Sequence, residues 1–174
     1  MANNRDYMET QPSQEESLTQ STTSTVWFND LSGLNLTIYY LSPYVLTRCP
    51  LNESELIRCV NAMRIHEPEQ AQKIVIHGQQ LNEHTDLLSQ LNNLNLIPIE
   101  EKLKLDARTH YVFENNDGTS VLRVTMWGQN GCILVNDKAV KREIIPYKVL
   151  IPFLYGESLQ IFQRIINRAL ESWV

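Results

Sequence analysis

Between Tyr111 and Asp137 the chain is cut at short intervals by clusters of turn-forming residues, and that spacing constrains the fold more than any other feature. Tyr111-Val112-Phe113 runs into Asn115-Asn116-Asp117-Gly118, Val121 to Trp127 into Gly128-Gln129-Asn130-Gly131, and Cys132 to Val135 into Asn136-Asp137. Short runs rich in β-branched and aromatic residues, bounded by Asn, Asp and Gly, are strands joined by tight turns. From Val121 onward Val121, Arg123, Thr125 and Trp127 oppose Leu122, Val124 and Met126, the period-two pattern of a strand.

The rest of the chain extends this β pattern and adds helices. Val26-Trp27-Phe28 reads as a short strand. Leu34 to Leu41 alternates, with Leu34, Leu36, Ile38 and Tyr40 on one face. Lys73 to Ile76 reads as a strand ending at Gly78, Leu96 to Ile99 as extended chain, and Ile144 to Leu154 as one or two further strands. Asn52 followed by Glu55 makes a capping-box pattern, and Leu56, Val60 and Met63 recur at helical spacing, which predicts a short helix over 53–63. A second short helix is allowed over Thr85 to Leu94. From Ser158 the residues Leu159, Phe162, Ile165, Ile166, Ala169, Leu170 and Trp173 form an apolar stripe, predicting a closing amphipathic helix over 158–173. That stripe either packs on the sheet or docks a partner helix or a second copy, with Phe162, Ile165, Ile166 and Trp173 as the interface candidates. The expected fold class is mainly β, with the short helix near 53–63 and the C-terminal amphipathic helix added.

At 174 residues the chain suits one domain with a proper core. Residues 1–25 are rich in Ser, Thr, Gln, Glu and Asn and nearly lack large apolar side chains, so a disordered tail is expected before a single β-rich domain over 26–174. Thr10, Ser13 and Thr19 each precede Gln, a pairing similar to the target of checkpoint kinases, and are candidate phosphorylation sites. The net charge of -5 argues against broad nucleic-acid binding. Three cysteines without tight spacing indicate neither a disulfide framework nor a zinc site. No signal-like start and no apolar run of spanning length are present, which points to an intracellular protein without a membrane segment. No phosphate loop, metalloprotease helix, paired cysteines or nucleophile elbow occurs, so a non-enzymatic protein without cofactor or metal is expected.

One ordered set of residues resembles the forkhead-associated (FHA) family. Ala107-Arg108-Thr109-His110 is followed by a strand, the Asp117-Gly118 hairpin, a second strand, Gly128 to Gly131, and Val135-Asn136, with Ile74 to Gln79 upstream. The resemblance covers about 71–162 and implies a β-sandwich whose loops read phosphothreonine in a partner. It implies partner-binding roles for Gln79, Arg108, Thr109, Asn130 and Gly131, and supporting roles for Gly78 and His110. This chain departs from the family's pattern where phosphate is read: Gln79 stands in place of an arginine and Ala107 in place of a serine. Losing a charged donor and a hydroxyl weakens a phosphate site. The implied function is a protein-interaction module in a nuclear complex of chromatin, transcription or genome maintenance, with weakened or lost phosphothreonine reading: it binds its partner mainly without phosphate, or with Arg108, Lys102 or Lys104 compensating. Two other readings stand beside it: a single-strand nucleic-acid binder of OB-fold type or telomere/genome-maintenance subunit, using aromatics such as Tyr39, Tyr40, Tyr44 and Trp127, and a structural dimerisation subunit acting through the terminal helix.

Overall fold

A computed structural model describes residues 28–100, 105–127 and 132–172. Six strands form a single antiparallel sheet: β1 (Leu34–Leu41), β2 (Ala71–His77), β3 (Thr109–Asn115), β4 (Ser120–Trp127), β5 (Cys132–Val135) and β6 (Lys138–Val140). Their order across the sheet is β2-β1-β3-β4-β5-β6. Strands β3 to β6 follow the chain as hairpins, and their turn residues explain why. Gly118 takes φ 84° between β3 and β4. Asn136 and Asp137 both take positive φ, 47° and 67°, the two-residue turn whose twist matches the flanking strands. The extended reading of Leu96 to Ile99 also holds. This segment runs beside β6, with Ile99 N–H donating to Ala139 C=O (3.0 Å) and Lys141 N–H donating to Ile97 C=O (2.7 Å).

Helix α1 (Glu53–Met63) forms as its sequence predicts. Asn52 Oδ1 accepts from Glu55 N–H, and Glu55 Oε2 accepts from Asn52 N–H, each at 2.9 Å. Helices α2 (Gly78–Asn82) and α3 (Thr85–Asn92) follow β2. Gly78 therefore opens a helix rather than closing a strand. It must be glycine because a Cβ there would sit 2.0 Å from Ser32 O. Phe28 is not in a strand; its main chain is clamped by Asn92, whose side chain accepts from Phe28 N–H (2.8 Å) and donates to Phe28 C=O (2.9 Å). Residues 26 and 27 of that expected strand, and the 1–25 tail, lie outside the described residues.

The expected strands over Ile144 to Leu154 are a correction. This stretch is helix α4 (Ile145–Lys148) followed by turns, with bonds such as Val149 N–H to Ile145 C=O (3.0 Å) and Leu154 N–H to Leu150 C=O (3.2 Å). Its apolar run is too short for periodicity to distinguish helix from strand. Pro146 decides the matter, since proline fits the first helical turn and lacks the N–H a strand ladder needs.

The sheet buries residues on both faces. On one face Leu36, Ile38, Tyr40, Phe113, Leu122, Val124 and Ile133 pack with Leu81, Leu87 and Leu91 from α2 and α3, Tyr147 from α4, and Phe162 from α5 (Gly156–Ser172). On the other face, at the Leu41 end of β1, Leu56 and Val60 of α1 pack with Leu41, Leu51, Ala71 and Ala107. Helix α5 is fixed at its start by Ser158, whose hydroxyl donates to Gln72 Oε1 on β2 at 2.8 Å. No described helix is long and apolar enough to cross a membrane. Because the atom nearest a Cβ at position 78 is main chain, Gly78→Ala must move the Ser32 segment. It should lower the free energy of unfolding by about 3 kcal/mol, read as an earlier urea midpoint.

Candidate functional site

The residues implied by the family resemblance do not gather at one end of the sheet. Gln79 is exposed on α2, just past β2, whose last residue His77 pairs with Asn35 near the start of β1. Arg108 is at the other end: Leu41 N–H donates to its carbonyl (2.8 Å), and its own N–H donates to Met126 C=O (3.1 Å). Asn35 and Leu41 are six residues apart on one strand, so Gln79 and Arg108 are separated by roughly 20 Å. Asn130 and Gly131 lie outside the described residues, as do Lys102, Lys104, Trp173, Thr10, Ser13 and Thr19. The strand ends that flank Asn130 and Gly131, Trp127 and Cys132, pair with each other at the Arg108 end.

Arg108 has other work than reading a phosphate. Its side chain is buried, and its guanidinium donates to Asp106 Oδ2 from Nε (3.2 Å) and Nη2 (2.8 Å), to Val45 C=O (2.9 Å) and to Thr47 Oγ1 (3.3 Å). Asp106 Oδ1 in turn accepts from Leu51 N–H (2.9 Å), and Ala107 N–H donates to Leu51 C=O (2.8 Å). The segment before β3 is thus strapped to the 42–51 loop, with every guanidinium nitrogen engaged. Ala107, where the family has serine, is fully buried in the packing under α1.

His110 is also internal. Its Nδ1 is 3.0 Å from Thr125 Oγ1, its Nε2 is 3.7 Å from Glu53 Oε1, and its ring lies beside Tyr39. Burial, aided by the Arg123 charge, pushes its pKa down from 6.5 to about 4. The imidazole is therefore neutral at pH 7 and joins α1 to β3 and β4.

What the Arg108 strap builds is a cleft of about 500 Å³ between the Leu41 end of the sheet and α5. Thr109, Met126 and Tyr147 contribute to its lining, Tyr44 comes from the strapped loop, and Arg164, Arg168 and Ser172 come from successive turns of α5. Arg108 and Arg142 line it as well. Tyr147 is 1% exposed and packs its ring on Phe162 (centroids 5.8 Å apart). Its hydroxyl is buried and meets no hydrogen-bond partner among the described residues. Burial raises its pKa to about 12, so the hydroxyl keeps its proton at any physiological pH. No carboxylate among the described residues pairs with Arg164 or Arg168.

Of the terminal-helix candidates, Phe162 is core, Ile165 lines the cleft, and Ile166 lines a shallower hollow with Lys148 and Ile151. Of the described stripe, Phe162 and Ala169 are buried, Leu159, Ile165 and Ile166 pack against the core, and Leu170 is exposed. Sequence reasoning assigned no site role to Arg164, Arg168 or Tyr147. The signal that could have found the first pair is two arginines four residues apart beside the apolar stripe with no acidic residue at i±4 from either. No protein-family model, no curated protein and no solved structure matches the chain.

Two outcomes follow from this geometry. Replacing Arg108 by Met strands Asp106 and frees the 42–51 loop, and should cost about 3 kcal/mol in chemical denaturation. For His110, the unfolded ring takes up a proton near pH 6.5 while the folded ring resists protonation down to about 4. Stability present at neutral pH should therefore fall between pH 6.5 and 4, by up to about 3 kcal/mol. Urea midpoints measured at pH 7 and 4.5 should differ clearly in the native chain and much less in His110→Gln.

Proposed function

We propose that the protein is a non-enzymatic interaction module that seats a segment of a partner protein in the cleft between α5 and the Arg108 end of the sheet. The observation that carries this reading is the pairing of that cleft with exposed apolar side chains on a fixed loop. Tyr44 is 64% and Leu46 98% exposed, and both belong to the loop that Arg108 holds through Val45 and Thr47. Apolar groups are costly to leave in water, and a tethered loop loses little entropy when it is covered. A cleft of this size falls in the range of about 300–1,000 Å³ typical of ligand sites. In this reading the module is forkhead-associated-like in using the loop end that carries Arg108 and Thr109. It departs from that family in leaving Gln79 at the far end and in using Arg108 as scaffold rather than as the reader.

Selection of peptides from a displayed random library against the full chain tests the proposal. Ser172 is exposed and lines the cleft, so Ser172→Trp fills it with little cost to folding. Selected peptides should bind the native chain and lose roughly tenfold or more of their affinity for Ser172→Trp, with the melting temperature held. Failure to select any peptide, or peptides indifferent to the filled cleft, would overturn the reading.

A further inference from the structure

We propose that strand β2 is a self-association edge: it pairs antiparallel with β2 of a second copy across a two-fold axis at Ile74, so that two six-stranded sheets become one. The cleft beside α5 is a different surface, and neither reading needs the other.

The two edges of the sheet are finished differently. Beyond β6 the 96–99 segment adds its own main chain, with Ile99 N–H bonded to Ala139 C=O and Lys141 N–H to Ile97 C=O. Strand β2, at the other end of the strand order, has a neighbour on one side only. The bonds at its ends fix which of its residues face outward. Ser42 N–H donates to Gln70 C=O (2.7 Å), and the register continues as Tyr40↔Gln72, Ile38↔Ile74 and Leu36↔Ile76. Residues along an antiparallel strand alternate in the side to which their main chain bonds. Gln72, Ile74 and Ile76 therefore bond to β1, while Ala71, Lys73, Val75 and His77 turn their main chain outward. At both ends the outward donor is already taken. Ala71 N–H donates to Glu67 C=O (3.0 Å), and His77 N–H donates to Gln80 Oε1 (3.4 Å). Lys73 and Val75, between them, have no such partner among the described residues.

Lys73 and Val75 each offer an outward donor and acceptor, two positions apart. A second copy carries the same unmet groups at the same spacing, so one contact satisfies both chains. In an antiparallel pair centred on Ile74, Lys73 N–H meets the C=O of Val75 in the second copy, and Val75 N–H meets the C=O of its Lys73. The two-fold axis repeats both bonds. The side chains suit this register. Ile74 meets its own copy at the axis, where the side chains of a non-bonded pair stand closest, and it already packs on the main core. On the other face Val75, 47% exposed, meets the stem of Lys73 of the second copy. The Lys73 ammonium lies over the Tyr39 ring, 5.4 Å from its centroid. Tyr155 is 54% exposed and its carbonyl accepts from Gln72 Nε2 (3.4 Å), so a further large side chain is exposed beside this edge. The pairing of β2 with β1 runs unbroken from His77 to Ala71, and the strand contains no proline. An apolar edge with neither bulge nor proline is a template for another strand.

Sedimentation velocity of the full chain over roughly 1–500 μM should show a monomer–dimer equilibrium, as a small interface implies. Over the same range the amides of Lys73 and Val75 should exchange with deuterium more slowly as concentration rises, read by NMR. The Ile74 amide, bonded within its own sheet, should not change. Val75→Pro removes an outward N–H that no sheet bond uses, and should hold the melting temperature while abolishing the dimer. Val75→Lys sets like charges across the axis and should weaken the dimer roughly tenfold or more, whereas Val75→Glu faces Lys73 of the second copy and should keep it. A chain that stays monomeric throughout, or a dimer indifferent to Val75→Pro and Val75→Lys, overturns the proposal. Equal weakening by Val75→Lys and Val75→Glu overturns the pairing about Ile74. Slow exchange at Lys73 and Val75 that is independent of concentration assigns the edge to a segment of the same chain and overturns it too. So does a monomer whose edge captures library peptides that Val75→Pro loses, which gives the edge to a foreign strand. Ser172→Trp should leave the dimer intact, so failure of the cleft and failure of the edge read separately.

Discussion

The Arg108–Asp106 pair governs the end of the molecule where the cleft lies. A guanidinium taken out of water must meet acceptors with all its nitrogens or lose far more than it gains. Arg108 meets this demand with Asp106, Val45 C=O and Thr47 Oγ1. Asp106 uses its second oxygen on Leu51 N–H. The loop after β1 is held because a buried charge requires it to be, and not by propensity of its own. Tyr44 and Leu46 inherit their positions from that requirement. The same commitment engages every guanidinium nitrogen of Arg108.

Strand β1 sets the distances. It lies between β2 and β3, inside the sheet, and its two ends face different tasks. At the Leu34 end the chain closes tightly: Ser32 O approaches Gly78, and Asn92 clamps Phe28. At the Leu41 end the main chain is bonded to Arg108 and the opposite face is covered by α1. His110, neutral and buried between Thr125, Glu53 and Tyr39, belongs to this second end. A strand of this length is a rigid spacer, so residues attached to opposite ends cannot act on one small ligand.

Helix α5 serves two purposes with one periodicity. Ile161, Phe162 and Ala169 are buried, and Ser158 ties the helix start to Gln72 on β2. The neighbouring edge of the same helix carries Arg164, Arg168 and Ser172 along the cleft. Packing fixes the rotation of the helix, and that rotation aims the arginines. Arg164 Nε also donates to Gln160 C=O of the preceding turn (3.4 Å).

Much of the secondary structure was legible in the residues. Gly118, Asn136 and Asp137 announce their turns because few other residues adopt positive φ. Asn52 and Glu55 announce α1 because both partners of the capping box are local. The alternation of β1 and β4 and the stripe of α5 likewise report burial on one side of a regular element. Ile144 to Leu154 was not legible, since a short apolar run reads the same on either element until Pro146 is weighed. Which residues share an end of the sheet lay beyond the sequence altogether. The family resemblance implied that Gln79 and Arg108 work together, and strand pairing sets them at opposite ends of β1. Local chemistry determined the turns, the caps and the amphipathic faces, because those depend on neighbours a few positions away. Only the tertiary structure decided that Arg108 is spent on scaffold, because that depends on the Val45 carbonyl and the Thr47 hydroxyl brought from a distant part of the chain.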